Sequence, residues 1–140
     1  MNFTHLHVHT EYSLLDGSNK IKEYVDRVKE LGMDSAAITD HGVMYGVIDF
    51  YRAARAAGIN PILGCEVYVA PGSRFDRETG SGEDRYYHLV LLAENNQGYS
   101  NLMKIVSKGF VEGFYYKPRV DLQLLEKYHE GIIALSACLA

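Results

Sequence analysis

The sequence predicts an α/β fold in which parallel strands alternate with helices. Short apolar runs alternate along the chain with longer segments whose apolar residues recur at helical spacing. The length of 140 residues suits one domain with a sizeable core. A hydrophobic fraction of 47% and a charged fraction of 23% are typical of a soluble globular protein. Because strands that alternate with helices form βαβ units, we expect a parallel sheet.

Five strands are predicted, and all but the first are short apolar runs. The first alternates at a period of two, with Leu6 and Val8 on one face and histidines on the other. The later runs read SAAIT, ILGCEVYV, YYHLVLLA and IIALS. The five predicted strands cover residues 3–9, 35–39, 62–69, 86–93 and 132–136.

Four helices are predicted between these strands. The first carries an apolar stripe at helical spacing, Ser18 or Asn19 can cap its start, and Gly32 closes it. The stretch over residues 71–84 is rich in glycine and charge, so we expect a mobile surface loop there. The segment FYYKPRVD is expected to be a simple connection between the last two helices. The predicted helices cover about residues 21–31, 45–57, 97–108 and 122–128.

The length also limits the architecture. A closed barrel of eight βα units usually needs about 250 residues, so the chain is expected to form about half of a barrel. Residues 1–140 are then one segment of a larger domain. No run of 18 or more apolar residues is present, so no membrane-spanning helix is expected. The chain shows no basic-then-apolar leader and only two cysteines, which favours a cytoplasmic protein with free thiols.

The charge bears on partners. Fourteen Lys and Arg residues against eighteen Asp and Glu residues give a net charge of -4. A surface that binds many nucleic-acid phosphates normally carries an excess of basic residues. Any contact with nucleic acid is therefore expected to be local, or organised by bound cations or by a partner domain.

Side chains that bind transition metals lie at or just after the ends of the predicted strands. In parallel α/β folds, sites assemble at the carboxyl edge of the sheet. Imidazole, carboxylate and thiolate are the protein ligands of divalent transition metals. Seven such residues exceed the needs of one ion, so the sequence predicts a multinuclear cluster. The predicted ligands are His7, His9, Asp16, His41, Glu66, His88 and Cys138.

This set of ligands suits hydrolytic phosphoryl chemistry. Residues two apart in a strand lie on one side, about 6.5–7 Å from each other, so His7 and His9 can grip one ion together. Glu66 can bridge two ions, which a neutral imidazole cannot. Two bridged cations can clamp the attacking and leaving oxygens of a phosphoester and supply hydroxide near neutral pH. Lys117 and Arg119 can hold a substrate phosphate, although a solvated pair is an equal alternative.

Each ligand alone also has a purely structural interpretation. The His-x-His pair can be a polar strand face, and Asp40-His41-Gly42 can be a turn with a helix cap. His88 can be a satisfied buried histidine, and Cys138 a small core residue. The joint placement of these residues is what favours a metal site. His5 is expected to lie outside the cluster, and Cys65 to point into the core.

Six segments of the sequence together resemble a known family. They read HLHVHTEYSLLDG, AITDHG, GCEVYV, YYHLVLLAEN, GFYYKPRVD and IIALSACLA. Over about residues 3–140, they resemble the PHP (polymerase and histidinol phosphatase) domain, in the version found at the N-terminus of the bacterial DNA polymerase III alpha subunit. The resemblance implies a partial distorted (β/α)7 TIM-like barrel. It also implies a site for up to three divalent ions of zinc, manganese or iron.

The resemblance also implies roles for single residues. His7, His9 and Glu66 would hold one ion, and Glu66 would bridge to a second ion shared with His88 and Cys138. Asp16 and His41 would hold the third. Catalysis would act through metals bound to His7, His9, Glu66 and His88. The family's remaining Asp-x-His ligands are expected beyond residue 140.

The resemblance implies an enzyme whose complete form is a DNA-directed DNA polymerase acting with DNA and other replicase domains or subunits. This segment would supply at most a metal-dependent phosphoesterase, such as a 3′–5′ exonuclease, and is expected to be inactive alone. Two alternatives stay open. The cluster could stabilise a non-catalytic docking domain, or the chain could belong to a stand-alone phosphatase of the histidinol phosphatase type.

Overall fold

The computed structural model describes residues 3–77 and 86–137. A short 3₁₀ segment, Glu11–Asp16, precedes the first helix. The helices are α1 (Ile21–Glu30), α2 (Val47–Ala57), α3 (Asn96–Val111) and α4 (Leu122–Tyr128). The strands are β1 (Ser35–Ile38), β2 (Asn60–Val69), β3 (Tyr87–Ala93), β4 (Phe114–Tyr115), β5 (Lys117–Val120) and β6 (Ile132–Leu135). None of the helices in this described part is long and apolar enough to cross a membrane.

The sheet is organised around β2, its longest strand. Strand β1 pairs with the first part of β2, while β3 and β5 pair with its later part. The order across the sheet is β4-β5-β2-β3-β6. Strands β1, β2, β5 and β6 point in one direction, and β3 and β4 point in the other. Among the described residues, four of the six strands therefore share one direction, as the sequence predicts, although three of the five strand pairings are antiparallel.

The direction of β3 differs from the expected parallel arrangement. Strand β3 runs antiparallel to β2, with Glu66 opposite Val90 and Tyr68 opposite His88. Parallel neighbours need a crossover connection, usually a helix. The described part of the segment between β2 and β3 contains no helix. After this segment the chain runs back along β2, which brings the start of β3 to the rim where β2 ends.

The first predicted strand is wrong. Residues 3–9 form no strand. Val8 is instead hydrogen-bonded to Thr39, the residue that directly follows β1. The Val8 N–H donates to Thr39 Oγ1 at 2.8 Å, and the Thr39 N–H donates to the Val8 carbonyl at 2.9 Å. The predicted helix cap is also wrong, because α1 begins after Lys20 without a side-chain cap. Asn19 donates to the His9 carbonyl at 2.8 Å instead.

Two buried clusters hold the elements together. The first lies between α1, α2 and β1, and it contains Ile21, Val25 and Val28 of the predicted stripe, whereas Leu31 of that stripe is exposed. The second lies where β2 and β3 pack on α3 and α4. Cys65 is fully buried in the second cluster, so its predicted place in the core is confirmed. Because helices and strands pack on both sides of β2, the loops gather at the rim beyond Glu66.

Two loop predictions are corrected in part. The stretch 71–77 is a loop with mostly exposed residues, as predicted, but it is anchored to the fold, because Arg74 is buried and its side chain pairs with Asp121 and Glu112. Residues 78–84 of that prediction lie outside the described residues. The segment FYYKPRVD is more than a connection, since it contains β4 and β5, which pair with each other as a small hairpin.

Gly98 in α3 can be used to test how closely the loop between α4 and β6 packs against this helix. A Cβ at this position would lie 1.8 Å from the carbonyl oxygen of Gly131. We expect Gly98→Ala to lower the free energy of unfolding by about 1–3 kcal/mol through overpacking, although alanine normally favours a helix by roughly 1 kcal/mol over glycine. Thermal unfolding measures the change. Ser107→Ala, at an exposed position of the same helix, is the control, and a stabilised Gly98→Ala protein would contradict the packing described here.

Candidate metal centre

One buried carboxylate lies at the centre of four imidazoles. The side chain of Glu66 is only 1% exposed. His7 Nε2 and His9 Nε2 both contact Glu66 Oε2, the latter at 2.8 Å. His88 Nδ1 lies 2.8 Å from Glu66 Oε1, and His41 Nδ1 lies 3.8 Å from Oε2. Four of the seven predicted ligands thus surround a fifth.

The sheet fixes three of these residues. Glu66 lies in β2, and its backbone is bonded to the segment after β1, because the Glu66 N–H donates to the Asp40 carbonyl and the Gly42 N–H donates to the Glu66 carbonyl. This pairing places His41 beside Glu66. His88 lies near the start of β3, not at the carboxyl end that the sequence suggested. It still reaches Glu66 because β3 is antiparallel to β2.

His7 and His9 approach from a non-strand segment. Their rings are 5.1 Å apart between centroids, and the ring of His9 stacks on that of His41 at 4.0 Å. His9 Nδ1 lies 3.0 Å from Ser13 Oγ, which fixes the ring and leaves Nε2 toward Glu66. The prediction that both histidines serve one face holds in space, although the strand that motivated it is absent.

Asp16 joins the cluster from its outer side. Asp16 Oδ2 lies 2.5 Å from His41 Nε2, while the carboxylate itself is 75% exposed. The hydrogen bond from His41 lowers the pKa of Asp16 below its ordinary value, so this carboxylate stays ionised. Cys138, the seventh predicted ligand, lies outside the described residues.

The protonation states suit a metal site. Burial alone would raise the pKa of Glu66, but hydrogen bonds from His9 and His7 and the nearby charge of His41 outweigh it and lower the pKa to about 2. Burial lowers the pKa of His88, and the neighbouring imidazoles add to this against the opposing effect of Glu66. The centre therefore offers an anionic carboxylate and a neutral imidazole, which are the ligand forms that divalent metals require.

Among the residues that the structure describes, two sets of donor atoms fit a metal ion. The first is His7, His9 and Glu66, and the second is His41, Glu66 and His88. Within each set, one donor atom per residue lies within 4.8 Å of the others. In the described part of the chain, Glu66 Oε1 and His41 Nδ1 are buried and form no hydrogen bond of good geometry, although Oε1 lies 2.8 Å from His88 Nδ1. Burying such atoms is costly unless a cation binds there. Glu66 belongs to both sets, so the residues present fit two ions that share one carboxylate.

Comparison with known proteins identifies the family. The model of the PHP domain family matches residues 5–140. The chain belongs to the PHP domain family. Curated relatives named DNA polymerase III subunit alpha include one from Treponema pallidum, 54% identical over the whole chain, and one from Aquifex aeolicus, 51% identical over 99% of it. The chain spans 12% of the length of each of these relatives.

Solved structures show the same fold. A Bifidobacterium adolescentis protein described as a metal-dependent phosphoesterase matches 76% of this PHP domain chain with a TM-score of 0.54 and 21% identity. A Chromobacterium violaceum amidohydrolase with bound sulfate and no metal matches 75% with a TM-score of 0.50 and 26% identity. The chain covers 32% and 34% of these two proteins. The predicted fold class, a partial TIM-like barrel of the PHP type, is confirmed.

A buried layer behind the centre escaped the sequence analysis. The Asp40 carboxylate is 1% exposed and accepts hydrogen bonds from the Thr10 N–H at 2.6 Å and from the Thr10 and Ser13 hydroxyls at 2.7 Å. Ser13 in turn holds His9. Asp40 therefore fastens the histidine segment of this PHP domain to the end of β1. The available signal is an aspartate that directly follows the apolar run AAIT, for which the sequence left a turn with a helix cap as an open alternative.

Replacing Asp40 with asparagine tests this layer. An amide offers one acceptor oxygen where the carboxylate offers two, so we expect His9 to lose its fixed orientation. Loss of such an outer partner typically weakens metal binding by about 10–100-fold, and a zinc competition titration measures the change. Asp34→Asn, at an exposed carboxylate before β1, is the control. An unchanged zinc affinity in the Asp40→Asn protein would show that this layer does not support the centre.

The structure places the two predicted phosphate ligands in different environments. Lys117 is exposed and lines the same cleft as His41 and His88, as the prediction requires. Arg119 is fully buried, and its guanidinium donates to the carbonyls of Gly113 and Asp76. The prediction for Arg119 is therefore wrong, because its side chain supports the inside of the fold and is closed off from solvent.

Proposed function

We propose that residues 1–140 form the N-terminal part of a PHP domain in a bacterial DNA polymerase III alpha subunit, and that the centre at Glu66 hydrolyses phosphodiesters as a 3′–5′ exonuclease. The single observation that supports this most strongly is a buried carboxylate shared by two sets of histidine donors. The names of the curated relatives support the assignment to a polymerase. On this proposal the longer protein works in the cytoplasm with DNA and other replicase components.

Three ions of zinc, manganese or iron are proposed for the complete site. His7, His9 and Glu66 would hold the first, and Glu66 and His88, with Cys138, the second. Asp16 and His41 would hold the third, which the short contact between these two side chains supports. Such ions polarise a phosphoester and lower the pKa of bound water.

The chain's own residues would bind the substrate and keep the metal ligands in place. Glu66 stays anionic next to the imidazoles and so can bridge two positions of positive charge. Lys117, on the wall of the adjoining cleft, would bind the phosphate as a point charge. Ser13 keeps the ring of His9 in its orientation. These contacts would hold a phosphodiester in one place while hydrolysis occurs.

Hydrolysis of labelled single-stranded DNA from its 3′ end tests the proposal. The full-length protein that contains residues 1–140 is assayed after chelation and again after zinc, manganese or iron is restored. We expect activity to return with metal in the parent protein and to fall at least about 100-fold in His9→Ala, since a metal ligand is worth more than an outer partner. His5→Ala is the matched control, because His5 is exposed and belongs to neither donor set.

The same assay separates a structural role from a catalytic one. A parent protein that retains metal but releases no nucleotide from the 3′ end would overturn the exonuclease proposal. If chelation then lowered its thermal stability, the metal would act by binding the folded state alone.

A further inference from the structure

A cleft of about 460 Å³ adjoins the candidate metal centre. The two share Asp16, His41 and His88, so a molecule in the cleft would present a group directly to the centre. The volume lies within the range of roughly 300–1,000 Å³ that small-molecule sites occupy. Lys117 is the cation on the cleft wall, and its Nζ lies 5.5 Å from the ring of Tyr68.

The other side of the cleft is built from tyrosines. Tyr68 and Tyr86 pack edge to face at 4.8 Å, and both rings pack against His88, at 5.3 and 5.8 Å. These contacts make a fixed aromatic wall. Tyr45 differs, because it is 67% exposed and has no ring contact with the described residues. Tyrosine rings that line a groove are typical stacking platforms for bases, since every base has a π-face.

Two leucines complete the mouth of the cleft. Leu14 and Leu15 line it and are 81% and 105% exposed. Leu14 has φ 57° and ψ -110°, a conformation that costs a non-glycine residue about 1–3 kcal/mol and that clusters at functional sites. Ser13 and Asp16 anchor the segment on either side through Asp40 and His41. Within the described residues, two large apolar side chains thus remain exposed beside the centre.

Three polar groups of the cleft are already engaged. Ser13 Oγ donates to Asp40, and Asp16 contacts His41. The Tyr12 hydroxyl donates to Asp49 at 3.4 Å. A base can stack its π-face on a tyrosine ring of the cleft, whereas a sugar phosphate has no such face.

We infer that this cleft binds a nucleobase, with Tyr45 as the stacking residue and Lys117 as the partner of the attached phosphate. The phosphoester presented to the centre then belongs to a nucleotide and not to a simple sugar phosphate. The inference rests on the proposed phosphodiester hydrolysis and adds the feature of the substrate that is recognised. Leu14 and Leu15 cover the edge of the bound base.

Hydroxyl-radical footprinting of the full polypeptide tests this inference at the site itself. Oxidation of Leu14 and Leu15 is followed by mass spectrometry while thymidine 5′-monophosphate or 2-deoxyribose 5-phosphate is titrated. We expect the nucleotide to protect these leucines at a concentration at least about tenfold lower than the sugar phosphate does, because one stacked base is worth about tenfold or more in binding. Equal protection by the two compounds, or none by the nucleotide, would overturn the inference.

Variants show whether the ring of Tyr45 is responsible. Tyr45→Ala is expected to raise the protecting concentration of the nucleotide about tenfold, and Tyr45→Phe to leave it within about twofold, because stacking needs the ring and not the hydroxyl. Tyr51→Ala, a half-exposed tyrosine on α2 away from this cleft, is the matched control and should change nothing. An unchanged Tyr45→Ala protein would overturn the role of Tyr45.

The footprinting experiment and the exonuclease assay test two different claims, and either claim can be overturned without the other. Base-dependent protection without any hydrolysis would support the nucleobase cleft and overturn the proposed function. Hydrolysis that depends on His9, without any preference for the nucleotide in protection, would support the proposed function and overturn this inference.

Discussion

Glu66→Gln is expected to remove metal from the centre almost completely. The carboxylate belongs to both donor sets, so its replacement by a neutral amide weakens two positions at once. Loss of an outer partner already costs about 10–100-fold in affinity, so loss of a shared direct ligand should cost at least about 100-fold. Elemental analysis of the full polypeptide after dialysis, with a zinc competition titration, measures the effect.

Glu23→Gln is the matched control for this change. Glu23 lies on α1 with a side chain 73% exposed, and it should leave metal content as in the parent protein. Circular dichroism shows whether the Glu66→Gln protein keeps its helices, so that a lost fold is not mistaken for a lost ligand. A folded Glu66→Gln protein with the parent metal content would refute the shared-carboxylate arrangement.

Asp121→Ala is expected to lower the free energy of unfolding by about 3 kcal/mol, the lower end of the usual cost of breaking a buried ion pair, because Glu112 still pairs with Arg74. Asp121 is 3% exposed and accepts hydrogen bonds from the Arg74 backbone N–H at 2.9 Å and from its guanidinium at 3.0 Å. The same carboxylate caps α4 by accepting from the Leu124 N–H at 2.9 Å. Its removal therefore releases the stretch 71–77 and the start of α4 together. Urea-induced unfolding measures the loss.

Two further variants separate charge from hydrogen bonding at this position. Asp121→Asn keeps an oxygen for the cap of α4 but loses the charge that faces Arg74, so it should cost less than Asp121→Ala. Asp26→Ala removes an exposed pair with Lys22 and should cost about 0–1 kcal/mol, as surface pairs do. If Asp121→Ala cost no more than Asp26→Ala, the buried pair would not be what holds the stretch 71–77.

The sequence predicts the helices well because their evidence is local. The apolar stripe that starts at Ile21 marks α1 within one residue at its end, and α4 has the predicted bounds, 122–128. Gly58, in the left-handed conformation, closes α2 as a helix-ending glycine should. A helix satisfies its own backbone, so spacing along the chain is enough to find it.

The strands were predicted less well because a strand depends on a partner. Residues 3–9 have the alternation of a strand, yet Val8 is held by the side chain and backbone of Thr39 and no ladder forms. The direction of β3 likewise depends on the connection that precedes it. Period-two alternation identifies which side chains share a side, and for His7 and His9 that part was right.

The metal-binding residue types of the candidate site were visible in the sequence, whereas the buried residues that support them were not. Residue types alone indicated histidines, carboxylates and a bridging glutamate, because few side chains bind transition metals. The burial of Asp40, and the burial of Arg119 away from the cleft, depend on which segments pack together. So does the cleft beside the centre, whose walls come from five separate stretches of chain.

By itself, the sequence determined the kinds of atoms available for the site and the helices that surround it, because both are properties of residues and their nearest neighbours. The tertiary structure decided which of those atoms meet. It turned β3 back along β2, brought His88 to Glu66, and enclosed the carboxylate, since contacts between residues far apart in the chain form only when the whole sheet is assembled.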